Sequence, residues 1–224
     1  MKRVWLILAA FLGLAAQAAP ASAGTVYTLN CNSAACGSPT NYGTVTLNQL
    51  GDGTVAHPYT VEVIVALAPN TFAGTGAGFA INWNITGNPD LTTALDGTHP
   101  LLPGQTFDIN NFAIKDNTVS GKTYKASPFG DDWMYAIDSK QNGGNAGNDN
   151  TLIFDVTKTG GLVLTDFVPL SGFMFAVDIW NSVTNKTFVV AARVPEPQTW
   201  LLFLTGLAGL TALVMLRRRK LARA

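Results

Sequence analysis

The residues that could carry catalysis in this chain are few and poorly spaced for it. The only histidines are His57 and His99, and each precedes a proline in a turn-like context. A Ser–His–Asp triad would need an exposed nucleophile, and the chain contains no Gly-x-Ser-x-Gly elbow. It also lacks a His-x-x-x-His pair that would hold a catalytic metal. We therefore expect no catalytic residues, no dedicated metal site and no enzymatic activity.

Three aspartates offer the paired carboxylates that glycosidases use. They are Asp131, Asp132 and Asp138. Consecutive side chains of a strand point to opposite faces, so Asp131 and Asp132 would not face one substrate together. A solvated loop explains this acidic group better, and a hydrolase is kept only as the third alternative for the function.

A Gly/Asn-rich segment from Gly143 to Leu152 is the main candidate for ion binding. It contains Asp149 and has some similarity to the Gly-Gly-x-Gly-x-Asp repeat of calcium β-rolls. Its spacing differs from that repeat, and it occurs once where stacked copies are required. Oxygen ligands of Asn and Asp still suit weak extracellular calcium binding. A plain turn is the favoured interpretation, a Ca²⁺ site at Asp149 is the alternative, and no other cofactor is expected.

Four large aromatic residues could form a stacking platform for sugars. They are Trp83, Trp133, Tyr135 and Trp180. Aromatic side chains are also common fillers of β-sandwich cores, so a core role and a carbohydrate-binding role both stay open. We take Trp133 as the candidate ligand residue.

The two cysteines, Cys31 and Cys36, are separated by four residues. In an exported protein, such a pair is most simply a local disulfide. The bond would fix the turn after the first strand. A metal or redox pair is the weaker alternative, because the chain has no second cysteine pair.

The segments that must position these residues are short β-strands. Gly- and Asn-rich turns separate runs that are rich in β-branched and aromatic residues, such as Thr60–Val65. The pattern predicts an all-β fold, a β-sandwich of jelly-roll type, over residues 24–193. A short helix is considered only at Leu91–Leu95. The predicted strands are Thr25–Asn30, Tyr42–Leu50, Tyr59–Ala68, Phe79–Ile85, Thr106–Ile114, Trp133–Ile137, Leu152–Val156, Leu162–Phe167, Phe173–Ile179 and Thr187–Ala192.

Charge is unevenly distributed along the chain. The whole sequence has 14 basic and 14 acidic residues, but residues 24–193 have 7 basic and 13 acidic residues, a net charge of −6. Phosphate binding needs a basic surface, so nucleic acid is excluded as a partner. An acidic body suits a soluble extracellular surface.

The N-terminal region has the pattern of a secretory signal peptide. Lys2 and Arg3 precede an apolar run from Val4 to Ala16, and Ala21-Ser22-Ala23 forms an A-x-A cleavage site. We expect residues 1–23 to be removed, and the mature chain to begin near Gly24 outside the inner membrane.

The C-terminal region combines a rigid peptide, an apolar span and a basic stop. Val194-Pro195-Glu196-Pro197 precedes the uncharged segment Thr199–Leu216, and Arg217-Arg218-Arg219-Lys220 follows it. Eighteen helical residues extend about 27 Å, enough for one membrane span, and the cations should stay in the cytoplasm. The two prolines keep Glu196 extended and outside any helix, as an exposed peptide at the membrane surface.

This order of motif, span and basic cluster resembles a PEP-CTERM sorting signal, over residues 194–220. The resemblance implies that an exosortase, a membrane-embedded cysteine protease or transpeptidase, processes the chain as its substrate. It also implies a Gram-negative bacterium that makes extracellular polysaccharide. A Pro-rich juxtamembrane linker is the alternative for the motif.

Together these patterns predict an exported, non-enzymatic protein of the cell surface or extracellular matrix. Its precursor would be anchored in the inner membrane until the tail is processed. The alternative is an adhesion module that binds carbohydrate, with exopolysaccharide as its partner, or calcium.

Overall fold

The fold is all-β, as the sequence predicts. A computed structural model of the chain describes residues 24–32, 35–36, 40–51, 54, 58–73, 80–86, 91–116, 123–139 and 149–194. Within these residues the only helices are two 3₁₀ turns, Ile109–Asn111 and Leu164–Asp166. The predicted signal peptide and the predicted span lie outside the described residues.

Twelve strands are present in the described part of the chain, and all their pairings are antiparallel. They are β1 Thr25–Asn32, β2 Ala35–Cys36, β3 Gly43–Leu50, β4 Thr60–Leu67, β5 Thr71–Ala73, β6 Ile81–Trp83, β7 Leu91–Leu95, β8 Phe112–Asp116, β9 Tyr135–Ser139, β10 Thr151–Lys158, β11 Phe173–Asn181 and β12 Lys186–Arg193.

Ten of the strands form one continuous ladder in the order β7-β10-β4-β3-β1-β12-β11-β6-β9-β8, while β2 pairs with β1 and β5 with β11 outside this order. Strand β1 joins its two halves. Thr25–Thr28 pair with β3, whereas the register to β12 begins at Leu29 and shifts before Cys31. A β-bulge of this kind bends a strand and lets it belong to two sheet faces.

The two halves of the sheet pack against each other through aromatic and branched side chains. Trp83 of β6 lies against Phe154 of β10, with ring centroids 5.0 Å apart, and Tyr27 of β1 meets Phe175 of β11 at 5.3 Å. In β4, Val61, Val63 and Val65 are fully buried. Their alternation places Glu62 on the opposite, outer face of the same strand.

Three local predictions are wrong. Thr106–Ile114, predicted as a strand, contains the 3₁₀ turn Ile109–Asn111, and only its last three residues belong to β8. Leu91–Leu95, considered as a helix, is the edge strand β7, because each of its residues pairs with β10. Leu162–Phe167, predicted as a strand, contains the 3₁₀ turn Leu164–Asp166. There Asp166 Oδ2 accepts hydrogen bonds from the backbone N–H of Val163 and from Lys158 Nζ. Such local side-chain bonds compete with strand pairing.

The cysteine prediction is confirmed. Cys31 and Cys36 form a disulfide and lie directly opposite each other in the β1–β2 hairpin. Cys31 is fully buried in a cluster that also contains Trp133 and Phe129. The disulfide therefore links β1 to β2 and forms part of the core.

The helices of the described residues include none with the length and apolar character needed to cross a membrane.

Gly43 begins β3 in a conformation that only glycine adopts easily. Its φ is +141°, and a Cβ there would lie 2.4 Å from the carbonyl oxygen of Ala66 on β4. We expect Gly43→Ala to lower the free energy of unfolding by about 3 kcal/mol, from backbone strain and displacement of β4.

Gly104→Ala is the matched control for Gly43→Ala. Gly104 also has positive φ, +85°, but nothing lies within 4 Å of a Cβ there. Its expected cost is about 1–2 kcal/mol, the cost of the backbone conformation alone. Urea unfolding of both variants measures the difference, and equal losses would show that the approach of Gly43 to β4 is not tight.

Candidate functional site

Trp133 lies in the core and not on a surface platform. Its side chain is fully buried, and Trp83 and Tyr135 are each about 1% exposed. Trp83 and Tyr135 stack on each other with centroids 5.8 Å apart. These three rings offer no face to a ligand at the surface. Of the four aromatic candidates only Trp180 is partly exposed; it packs against Phe72 at 5.6 Å.

Asp149 accepts hydrogen bonds from the segment Asp108–Asn111 through both of its carboxylate oxygens. Oδ1 accepts from the backbone N–H of Asp108 at 3.0 Å, and Oδ2 accepts from Asn111 Nδ2 at 2.7 Å. The residue is 6% exposed, and burial raises the pKa of its carboxyl against the effect of these bonds. Both of its oxygens therefore accept hydrogen bonds from within the protein. The adjacent Gly/Asn segment 140–148 lies outside the described residues.

An open groove of about 610 Å³ lies beside the turn between β11 and β12. Amide, hydroxyl and aromatic side chains line it, among them Asn32, Tyr42, Asn185 and Phe188. Tyr42 and Phe188 meet edge to face at 5.4 Å, and the Tyr42 hydroxyl accepts from Asn32 Nδ2 at 2.9 Å. Such a mixture of planar amides and aromatic rings can contact the hydroxyls and the apolar faces of a sugar.

A second group of polar residues lies on the outer face of the half-sheet formed by β3, β4, β10 and β7. Asn48, Glu62 and Asp155 are register partners on neighbouring strands, so their side chains share one face. Ala94 of β7 is the next partner in this row, and Asp96 lies two residues beyond it. We refer to Glu62, Asp96, His99 and Asp155 as the carboxylate–histidine cluster.

The loop after β7 brings His99 over this row. The backbone N–H and Oγ1 of Thr98 both donate to Asp96 Oδ1, at 2.8 and 2.7 Å, which turns the chain back over the sheet. His99 Nδ1 then lies 2.8 Å from Glu62 Oε1. Glu62 is only 7% exposed despite its outward direction, because this loop covers it. Its other oxygen, Oε2, accepts from Asn48 Nδ2 at 2.8 Å.

The cluster contains three carboxylates and one imidazole, so negative charge predominates in it. Burial raises the pKa of Asp155, the carboxylates of Asp96 and Glu62 raise it further, and His99 opposes them. The hydrogen bonds from the Thr98 side chain and backbone lower the pKa of Asp96. Asp155 Oδ1 is buried and has no hydrogen-bond partner among the described residues.

The sequence patterns do not identify this cluster. They predict a turn-like context for His99, and they place Glu62 and Asp155 inside the predicted strands Tyr59–Ala68 and Leu152–Val156. One signal was present: single acidic residues interrupt the apolar runs Val61–Val65 and Leu152–Val156, and an Asp-x-x-His spacing lies between them. The register that places the two strands side by side was not available from that pattern.

The predicted sorting motif starts directly after the last described strand. Val194 is the residue after β12 and the last one described. Pro195, Glu196 and Pro197 lie outside the described residues, as do Arg217, Arg218, Arg219 and Lys220.

Comparisons with models of protein families, with curated proteins and with solved structures give no match to this chain.

Proposed function

We propose that this chain is an exported, non-enzymatic bacterial protein that reaches the cell surface or the extracellular matrix through its C-terminal sorting signal. The observation that carries the proposal is the sequence Val194-Pro195-Glu196-Pro197, followed by an uncharged run and a basic cluster. In this proposal residues 1–23 direct export, and the span Thr199–Leu216 holds the precursor in the inner membrane. An exosortase-type enzyme then processes the tail.

Three features of the body support this proposal. β12, the last strand in the described part of the chain, ends at Arg193, so the Pro-Glu-Pro sequence begins two residues after it. The disulfide between Cys31 and Cys36 suits an oxidising compartment outside the cytoplasm. The body, residues 24–193, has a net charge of −6, as expected for a soluble surface domain. We take this body to be the jelly-roll-like sandwich that the strand pattern predicts.

Processing is tested by expressing the chain with and without an exosortase and comparing the mass of the mature product. Pro195→Ala combined with Pro197→Ala should keep the tail attached in both strains, since the peptide loses its rigid extended form. Pro58→Ala, in the body, is the control that should still be processed.

The second candidate function is carbohydrate binding, through which the body would adhere to matrix polysaccharide. It is favoured by the groove beside the β11–β12 turn, where Tyr42 and Phe188 lie among asparagine side chains.

Carbohydrate binding in this groove predicts that Phe188→Ala weakens retention on exopolysaccharide several-fold, because an aromatic contact contributes about 0.5–1.5 kcal/mol. Val183→Ala is the matched control, since Val183 is exposed on the same turn but does not line the groove. Affinity chromatography of the exported protein makes the comparison. Equal retention of the wild type and both variants would show that the groove does not bind the polysaccharide.

A further inference from the structure

The carboxylate–histidine cluster has the donors of a metal centre. Glu62, Asp96 and His99 each present one ligand atom within 4.8 Å of the other two. The set comes from a strand and a loop, and Asp155 adds a carboxylate from the neighbouring strand. The cluster is distinct from the Gly/Asn segment, from the groove and from the sorting tail.

The spacing of the closest pair suits a small divalent ion. Zinc binds nitrogen and carboxylate oxygen at about 2.0–2.2 Å, so two neighbouring ligands on one zinc ion are about 3 Å apart. His99 Nδ1 and Glu62 Oε1 are separated by 2.8 Å. These two atoms could therefore contact one ion with little movement, and Asp96 would need to close a gap of at most a few ångströms.

An independent observation also points to a cation. Asp155 is the register partner of Glu62, and its Oδ1 atom is buried without a hydrogen-bond donor among the described residues. A buried acceptor without a partner is unfavourable, and three carboxylates around a single imidazole leave excess negative charge. A bound divalent ion beside Asp155 would offset this excess negative charge.

The chemistry of the donors selects the class of ion. Imidazole nitrogen favours zinc and related transition metals, whereas calcium prefers a shell made entirely of oxygen. The surroundings orient the donors as outer partners do in metal sites: Asn48 Nδ2 holds Glu62 Oε2, and Thr98 holds Asp96.

We propose that Glu62, Asp96 and His99, with Asp155 beside them, form a binding site for a divalent transition-metal ion of the zinc type. The ion fastens the loop after β7 to strands β4 and β10. Its ligands come from segments 34 and more residues apart, so the site forms only in the folded sheet. Binding therefore stabilises the fold.

The test is titration of the full-length chain with Zn²⁺ in detergent after chelator treatment, followed by calorimetry and thermal unfolding. We expect one Zn²⁺ per chain and a rise in Tm, with no comparable effect of Ca²⁺. His99→Gln and Asp155→Asn should each weaken Zn²⁺ binding at least tenfold. Asp138→Asn is the charge-matched control, because Asp138 pairs with Lys115 on β8 and β9 and should leave binding unchanged.

Asp155→Asn separates metal binding from a purely structural role. It removes a partly buried carboxylate from beside two others, so the metal-free variant should be at least as stable as the metal-free wild type. Loss of the Zn²⁺-induced rise in Tm without loss of basal stability would support the site. The proposal is overturned if the wild type binds no Zn²⁺, if His99→Gln binds it as tightly, or if Ca²⁺ binds equally well. None of these results bears on tail processing.

Discussion

Replacing Trp133 with alanine is expected to lower the free energy of unfolding by about 3–5 kcal/mol. The indole is fully buried in a cluster that contains Phe129, Tyr124 and the Cys31–Cys36 disulfide. Its backbone also exchanges two hydrogen bonds with Tyr124, at 2.8 and 3.1 Å. A cavity beside the disulfide would loosen the segment around Trp133 and the hairpin it covers.

Trp133→Phe is the informative partner variant. Trp133 Nε1 is buried and has no hydrogen-bond partner among the described residues, so phenylalanine removes an unsatisfied donor and keeps most of the ring volume. We expect it to cost about 1.5 kcal/mol or less. Urea unfolding, followed by far-UV circular dichroism, gives both values.

The alanine variant also distinguishes the two roles considered for Trp133. If the residue were a sugar platform, Trp133→Ala would abolish retention on polysaccharide and leave the unfolding midpoint unchanged. If it is a core residue, the midpoint falls and any loss of retention follows from unfolding. Unchanged stability of Trp133→Ala would contradict the buried position described above.

The fold was predictable where a strand carries its own pattern. Tyr59–Ala68 matches β4, Thr60–Leu67, within one residue at each end, because alternating β-branched residues and flanking turns define it locally. Leu91–Leu95 was not identified as a strand, because a five-residue edge strand gains its order from pairing with β10. The 3₁₀ turn at Leu164–Asp166 depends on side-chain bonds to Asp166 that an apolar count does not include.

The carboxylate–histidine cluster was even harder to predict from the sequence than the edge strand and the 3₁₀ turn. Glu62 and Asp155 are 93 residues apart in sequence and become neighbours only through the β4–β10 register. A strand register is decided by the packing of whole faces, and a shift of one residue would send Glu62 into the core. The sequence therefore indicated that these residues are polar positions on strands. Their proximity to His99 became visible only in the folded sheet.

The largest effect we expect is the all-or-none processing of the tail. In the proposed processing, Pro195 and Pro197 are expected to keep Glu196 extended between β12 and the apolar run, where a membrane-embedded enzyme could reach it. Cleavage near this motif would remove the span and the basic cluster together. The body would then leave the membrane, so the change appears both in mass and in location.

Glu196→Gln tests whether the charge within the motif is read. It keeps both prolines and the extended geometry but removes the carboxylate. We expect processing to fall sharply, whereas Asp138→Asn in the body should leave processing intact. Processing of both variants at the wild-type rate would show that rigidity alone is recognised.

The most direct measurement is the intact mass of the cell-associated and released protein in matched strains with and without the exosortase. We predict that the enzyme-containing strain releases a product that lacks Arg217–Lys220, while the other strain retains the full tail in its membrane fraction. A product that keeps Arg217–Lys220 in both strains would contradict the sorting function and leave a permanently anchored membrane protein.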